Sequence, residues 1–285
     1  MRRILVATDF SPRADLALER AAILAATTDA NLDIVHVVDP DRPRRLVAAE
    51  AGLSHDLLDE QRKLITDRHG IEASAHLYEG EPFQGIGKAL DNLKPDLLVV
   101  GAYRRRLLQD TFIGTTAERA IRRSRKPVLM VNSEATEHYV HILAAVDLSP
   151  NSAQALRTVA ALDLNRDAAM SVAYLYDAHA IGSISLGSLS KADIRAYLAD
   201  EEALAVGELD TFLKLVEAGR VQRIVRHIDT TLAPTLQNIA SELSADLLVI
   251  GAGAGSGPTR MLLGSSALEI LATSRRDVLV VPHVK

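Results

Sequence analysis

The stretch LLVIGAGAGSGPTRMLLGSSALEIL, residues 247–271, places four of the chain's 16 glycines between positions 251 and 257, then Gly264, Ser265 and Ser266 ahead of a helical pattern. These residue types suit anion binding. The first turn of a helix carries backbone N–H groups without an intrahelical partner, at the positive end of the helix dipole. Small residues let those groups approach an anion closely, and a hydroxyl adds one donor. Gly264-Ser265-Ser266 therefore reads as a phosphate cradle, and the loop Gly251–Gly257, with Ala254 at its centre, as a second wall. A similar stretch, LLVVGAYRRRLLQDTFIGTTAERAI at 97–121, keeps the outer glycines as Gly101 and Gly114, followed by Thr115 and Thr116, but sets Arg104, Arg105 and Arg106 among the intervening residues. Those arginines either supply charge-assisted hydrogen bonds to phosphate or form a solvated loop.

The two stretches belong to a larger repeat. RRILVATDFSPRADLALERAAILA from residue 2 matches VHILAAVDLSPNSAQALRTVAALD from residue 140, so that Asp9 falls on Asp147 and Ser11-Pro12 on Ser149-Pro150. Later, DLLVVGAY matches DLLVIGAG and KPVLMV matches RDVLVV. The spacing is longer in the second copy, and DAHAIGSISLGSLSKAD, rich in Gly and Ser, is expected to be the inserted loop. The chain thus divides into two homologous halves, 1–135 and 138–285, joined by the short polar stretch NSEATEHY. So short a joint implies that the halves pack on each other.

Within each half, apolar runs alternate with amphipathic stretches. RILVAT, LDIVHVV, IEASAHLY, DLLVVG and PVLMV read as strands. Helices are expected from Ser11-Pro12, across about 46–69, near 82–93 and through TTAERAIRRS, and the second half repeats the order. Continuous Val/Ile/Leu runs mark strands buried on both faces, as in a parallel sheet. The expected class is α/β, two tandem doubly wound, Rossmann-like domains. Ligands in such sheets lie beyond the carboxyl ends of the strands, where the strand order reverses. That places Asp9 and Gly101, or Asp147 and Gly251, on either side of a crevice. Each aspartate also has a plainer reading, as a cap for the helix that follows it.

Composition narrows the classes of function. With 48% hydrophobic and 24% charged residues the chain is an ordinary globular protein, and a net charge of −5 argues against nucleic acid as a partner. There is no cysteine, hence no disulfide or thiolate metal site. The nine histidines show no metal-ligand spacing; His138 and His141 are expected at a surface or strand edge, and His36 as a packed core residue. No nucleophile elbow and no P-loop is present, so nothing obvious activates a γ-phosphate. No apolar run is long enough to span a membrane or to form the core of a signal peptide, and the cytoplasm is the expected location.

With the strand-end Asp, the Ser-Pro that follows and the outer Gly with Gly-Ser/Thr recurring in both halves, the chain resembles a tandem universal stress protein. The resemblance implies an adenine nucleotide alpha-hydrolase-like fold with the two domains packed as a pseudo-dimer. It also implies a ligand: ATP, or ADP or AMP, with Mg2+ on its phosphates. In the second half the base would contact Asp147 and the backbone near Leu175, and the phosphates would meet Gly251, Ala254, Gly264, Ser265 and Ser266. The corresponding residues of the first half are Asp9, Val37, Gly101, Arg104, Gly114, Thr115 and Thr116. The family's motif has glycine at the middle position, where Ala254 and Arg104 stand, so the second half is expected to be the more competent. The implied role is binding and regulation, with an unidentified protein partner and at most slow ATP hydrolysis; a nucleotide-free interaction module is the alternative. The fifth strands of the two halves are expected to pair inside the chain, and a homodimer of whole chains stays open.

Overall fold

The computed structural model describes residues 1–41, 43–102, 116–135, 137–176, 191–228, 231–252 and 264–283. The first half runs β1 (Arg3–Ala7), α1 (Pro12–Thr28), β2 (Asn31–Val38), α2 (Arg44–His69), β3 (Ala73–Glu79), α3 (Pro82–Leu93), β4 (Leu97–Gly101), α4 (Thr116–Arg123) and β5 (Val128–Val131). The second repeats it as β6 (His141–Val146), α5 (Pro150–Ala161), β7 (Ala169–Tyr176), α6 (Lys191–Val216), β8 (Gln222–His227), α7 (Leu232–Glu242), β9 (Leu247–Gly251), α8 (Ser265–Thr273) and β10 (Asp277–Val281).

All ten strands form one sheet, in the order β3-β2-β1-β4-β5-β10-β9-β6-β7-β8. Pairing is parallel within each half. At the centre β5 and β10 pair antiparallel, with Leu129 opposite Leu279. The expected pairing of the two fifth strands is therefore what joins the halves, and it leaves neither of these apolar strands as an open edge.

Strand side chains alternate between two core layers. Ile4, Val6 and Ile34 face a layer filled by α1, α2, α5 and α6, including Ala17, Leu58, Leu156 and Leu209. Leu5, Val35 and Leu98 face the layer of α3, α4, α7 and α8, including Ile86, Ile121, Leu236 and Ile270. Each of these buried Leu, Ile and Val side chains contributes about 1.5–3 kcal/mol. Helices on both faces of a mainly parallel sheet make the structure doubly wound.

Two sequence expectations need correction. Lys191 to Asp193, read as the end of the inserted loop, open α6; the rest of that insertion, 177–190, lies outside the described residues. The joint between the halves is not uniformly polar surface. Its Tyr139 is only 1% exposed. The phenol donates to Asp277 Oδ2 at 2.7 Å, and Arg20 reaches the same oxygen through Nε at 3.0 Å. The guanidinium lies 4.1 Å from the centre of the Tyr139 ring. Asp277 Oδ1 accepts from the backbone N–H groups of Asn132 and Ser133 and from the Ser133 hydroxyl. A carboxylate with 0% exposure is tolerable because both oxygens are bonded and a guanidinium neutralises it.

Candidate functional site

The crevice in each half is built by the first strand, the first turn of the helix after it and the end of the fourth strand. In the first half, Ser11 caps α1 through a hydrogen bond from the Ala14 N–H, and Pro12 follows at the first helical position. In the second, Ser149 caps α5 through the Ser152 N–H, followed by Pro150. The aspartates therefore do not cap the helices themselves. Asp9 Oδ1 accepts from the Ser11 N–H at 3.0 Å, and Asp147 Oδ1 from the Ser149 N–H at 3.1 Å. Each closes a turn two residues long and stays exposed to solvent. Among the described residues, the Oδ2 of neither aspartate has a partner.

The residue inside each turn is strained. Phe10 has φ 57° and Leu148 φ 59°, the left-handed region that a bulky side chain avoids at a cost of about 1–2 kcal/mol. The same strain at the same place in two diverged copies belongs to the way strand and helix meet at this edge.

The halves differ around the aspartate. Asp147 Oδ1 also accepts from the Ser152 hydroxyl, while the matching position of the first half is Ala14. Burial alone would push the Asp147 carboxyl up. The hydrogen bonds from Ser149 and Ser152 outweigh it and hold the group below the usual carboxylate range. Beside it, the Tyr174 hydroxyl pairs with Glu208 at 3.2 Å; burial, then Glu208 and Asp147, raise that phenol above its ordinary value. In the first half the equivalent wall is His36, whose Nδ1 is 2.8 Å from the Thr8 carbonyl and whose ring lies 4.4 Å from Phe10. A carbonyl only accepts, so Nδ1 carries the proton. His36 is thus half-buried and packed, close to the sequence expectation. His138 is exposed, and the half-buried His141 bonds Ser171.

The glycines prove to be of two kinds. A Cβ on Gly101 would lie 2.7 Å from the Arg13 carbonyl oxygen, and one on Gly251 would lie 3.0 Å from the Asn151 carbonyl. Both glycines let the fourth strand of their half touch the first turn of the first helix, so packing already requires them. Asn151 is held in turn by His283, through Nδ1 to Oδ1. Gly264 differs. It stands at the N-cap of α8 with φ −59° and no side-chain cap, and among the described residues nothing lies within 4 Å of the position a Cβ would take. Neither backbone conformation nor packing of the described residues explains a glycine there. Ser265 is exposed and Ser266 half-buried at the same helix start. Leu175 is in register with Arg226, and Val37 packs on Gly85. Thr116 opens α4. Arg104, Gly114, Thr115 and Ala254 lie outside the described residues.

A family model, that of the universal stress protein family, matches residues 1–132 and again residues 138–282. The chain belongs to the universal stress protein family. A universal stress protein of Mycobacterium tuberculosis is 24% identical over 300 residues, spanning 97% of this chain and 96% of the relative. One from Methanocaldococcus jannaschii is 28% identical over 145 residues, 48% of this chain and 85% of that protein. Among solved structures, a universal stress protein from Archaeoglobus fulgidus superposes with a TM-score of 0.71 at 17% identity, covering 98% of both chains. The tandem arrangement is thus shared over full length in sequence and in fold. Among the described residues, no helix is long and apolar enough to cross a membrane, and no group of three or more metal-ligating side chains gathers.

Proposed function

We propose that this universal stress protein binds an adenine nucleotide, ATP in the first place and ADP or AMP as variants, at the carboxyl edge of its second half. The halves 1–135 and 138–285 act as its two domains. The observation that carries the reading is Gly264: a glycine with ordinary φ, at the start of a helix, with nothing among the described residues near where a Cβ would stand. There the α8 N–H groups and the hydroxyls of Ser265 and Ser266 would take the phosphates, with Mg2+ balancing their charge. Asp147, with one oxygen engaged by Ser149 and Ser152 and the other unpartnered among the described residues, would meet the nucleoside end next to Leu175. Gly251 serves by holding the fourth strand against α5, and Ala254 would line the loop between.

The protein acts by binding rather than by catalysis, in the cytoplasm, and bound nucleotide changes the surface that a protein partner reads. Calorimetry on the purified chain tests this. Stoichiometric binding of ATP, ADP or AMP is expected, weakened in Asp147→Ala and abolished in Gly264→Asp, which puts a carboxylate into the phosphate position without disturbing the fold. Unchanged affinity in both variants would disprove the assignment. A second reading, a nucleotide-free interaction module, is favoured by the Ala254 and Arg104 departures from the motif. Ligand at 100 times its dissociation constant adds about 2.7 kcal/mol of stability, so a melt that ignores millimolar nucleotide selects the module.

A further inference from the structure

The outer flank of α2 carries leucines that the fold does not use. Leu46, Leu53 and Leu64 are 58%, 61% and 51% exposed, while Leu58 and Ile65 of the same helix are buried. Leu57, half-buried, completes the row. At about 100° per residue, Leu46, Leu53, Leu57 and Leu64 fall within about 40° of arc and along about 27 Å of helix. Their spacing has a symmetry of its own. Leu53 and Leu57 lie two residues either side of position 55, and Leu46 and Leu64 nine residues either side. A second α2 laid antiparallel about a twofold axis at that level sets Leu53 against the partner's Leu57 and Leu46 against the partner's Leu64, and the same again with roles exchanged. This self-complementarity is what an isologous interface requires.

The charges at the two ends agree, while nearer the axis Glu60 faces the partner's Glu50, a like-charge contact that keeps the association weak. Arg45 and Asp67 lie on one flank of the leucine row, both exposed, and neither has an ion-pair partner among the described residues. In the antiparallel arrangement Arg45 comes opposite the partner's Asp67 at each end; in a parallel one it would face the partner's Arg45. Asp56 sits on that flank near the axis, where it meets its own copy.

We propose that two copies of the chain associate through α2, antiparallel about a twofold axis near position 55. One helix pair falls short of the roughly 1,200 Å² at the lower bound of standard interfaces, so the dimer forms in the micromolar range.

Sedimentation of the full chain, from micromolar to about 1 mM, tests the proposal. The mass is expected to double with concentration. Leu53→Glu weakens association by more than about tenfold. Arg45→Asp weakens it several-fold, and Arg45→Asp with Asp67→Arg restores it. Asp56→Asn strengthens it. Leu215→Glu, at a still more exposed leucine of α6, leaves it unchanged. All these side chains are exposed, and unaltered thermal melts confirm that each variant is folded. A chain monomeric to the top of the range, association indifferent to Leu53→Glu, failure of the charge swap to restore it, or loss through Leu215→Glu instead would overturn the proposal.

Discussion

At the scale of single residues, the crevice separates groups that the fold requires from groups that it does not. Gly101 and Gly251 are fixed by contact, and the contacts are unequal: 2.7 Å to the Arg13 carbonyl against 3.0 Å to that of Asn151. Gly101→Ala should therefore destabilise more than Gly251→Ala, by about 1–3 kcal/mol for the tighter site. Urea denaturation of the two variants gives the order directly, and the reverse order would show that the first half yields more easily than its geometry implies. Asp147 offers a second test. Its folded pKa is depressed, so the stability it contributes is present above the unfolded carboxylate pKa and drains away as pH falls through the folded value. Ser152→Ala removes one of the hydrogen bonds responsible. The Asp147 carboxyl carbon, followed by NMR, should then titrate at higher pH than in the parent, and acid unfolding should begin at higher pH; coincident titration curves would remove Ser152 from the account.

At the scale of elements, the buried Asp277 joins pieces distant in the chain: Arg20 from α1, the residues just after β5, Tyr139 from the joint, and its own strand β10. Asp277→Ala strands a buried guanidinium and several donors at once, and a loss of about 3–5 kcal/mol is expected from thermal or urea unfolding. Tyr139→Phe removes one hydrogen bond and should cost about 1–2 kcal/mol. A loss from Asp277→Ala no larger than that from Tyr139→Phe would mean that the Glu137 carbonyl, which already accepts from Arg20 at 2.8 Å, and water suffice for the guanidinium. None of this cluster is legible in the sequence. Arg20 reads there as one more polar position in an amphipathic helix, Asp277 as the start of a strand, Tyr139 as part of a polar joint. Only the tertiary fold brings them together, and a single sequence holds no periodic signal for an ion pair 257 residues apart. The legible features have local causes. The Ser-Pro pairs announce both helix starts, the unbroken Val/Ile/Leu runs announce buried parallel strands, and the apolar fifth strands announce a pairing that the structure contains. The glycine motif is half legible: spacing exposes it, but only the folded chain separates the glycines used for packing from Gly264, which the packing of the described residues does not require.

At the scale of the whole molecule, one sheet runs through both halves, and each helical layer draws on both. The halves should accordingly unfold together. The chain has no tryptophan, so Tyr78→Trp in β3 and Tyr174→Trp in β7 report cleanly on opposite ends of the sheet. Their urea midpoints are expected to coincide; separated midpoints would show that the β5–β10 pairing and the Asp277 cluster are weaker than either half's own core. The antiparallel pairing at the centre has one more consequence. It turns the second half end over end, so the carboxyl edges of the two halves look in opposite directions. The two mouths are thus set at opposite edges of one sheet, with the β5–β10 pairing, the shared helical layers and the Asp277 cluster between them.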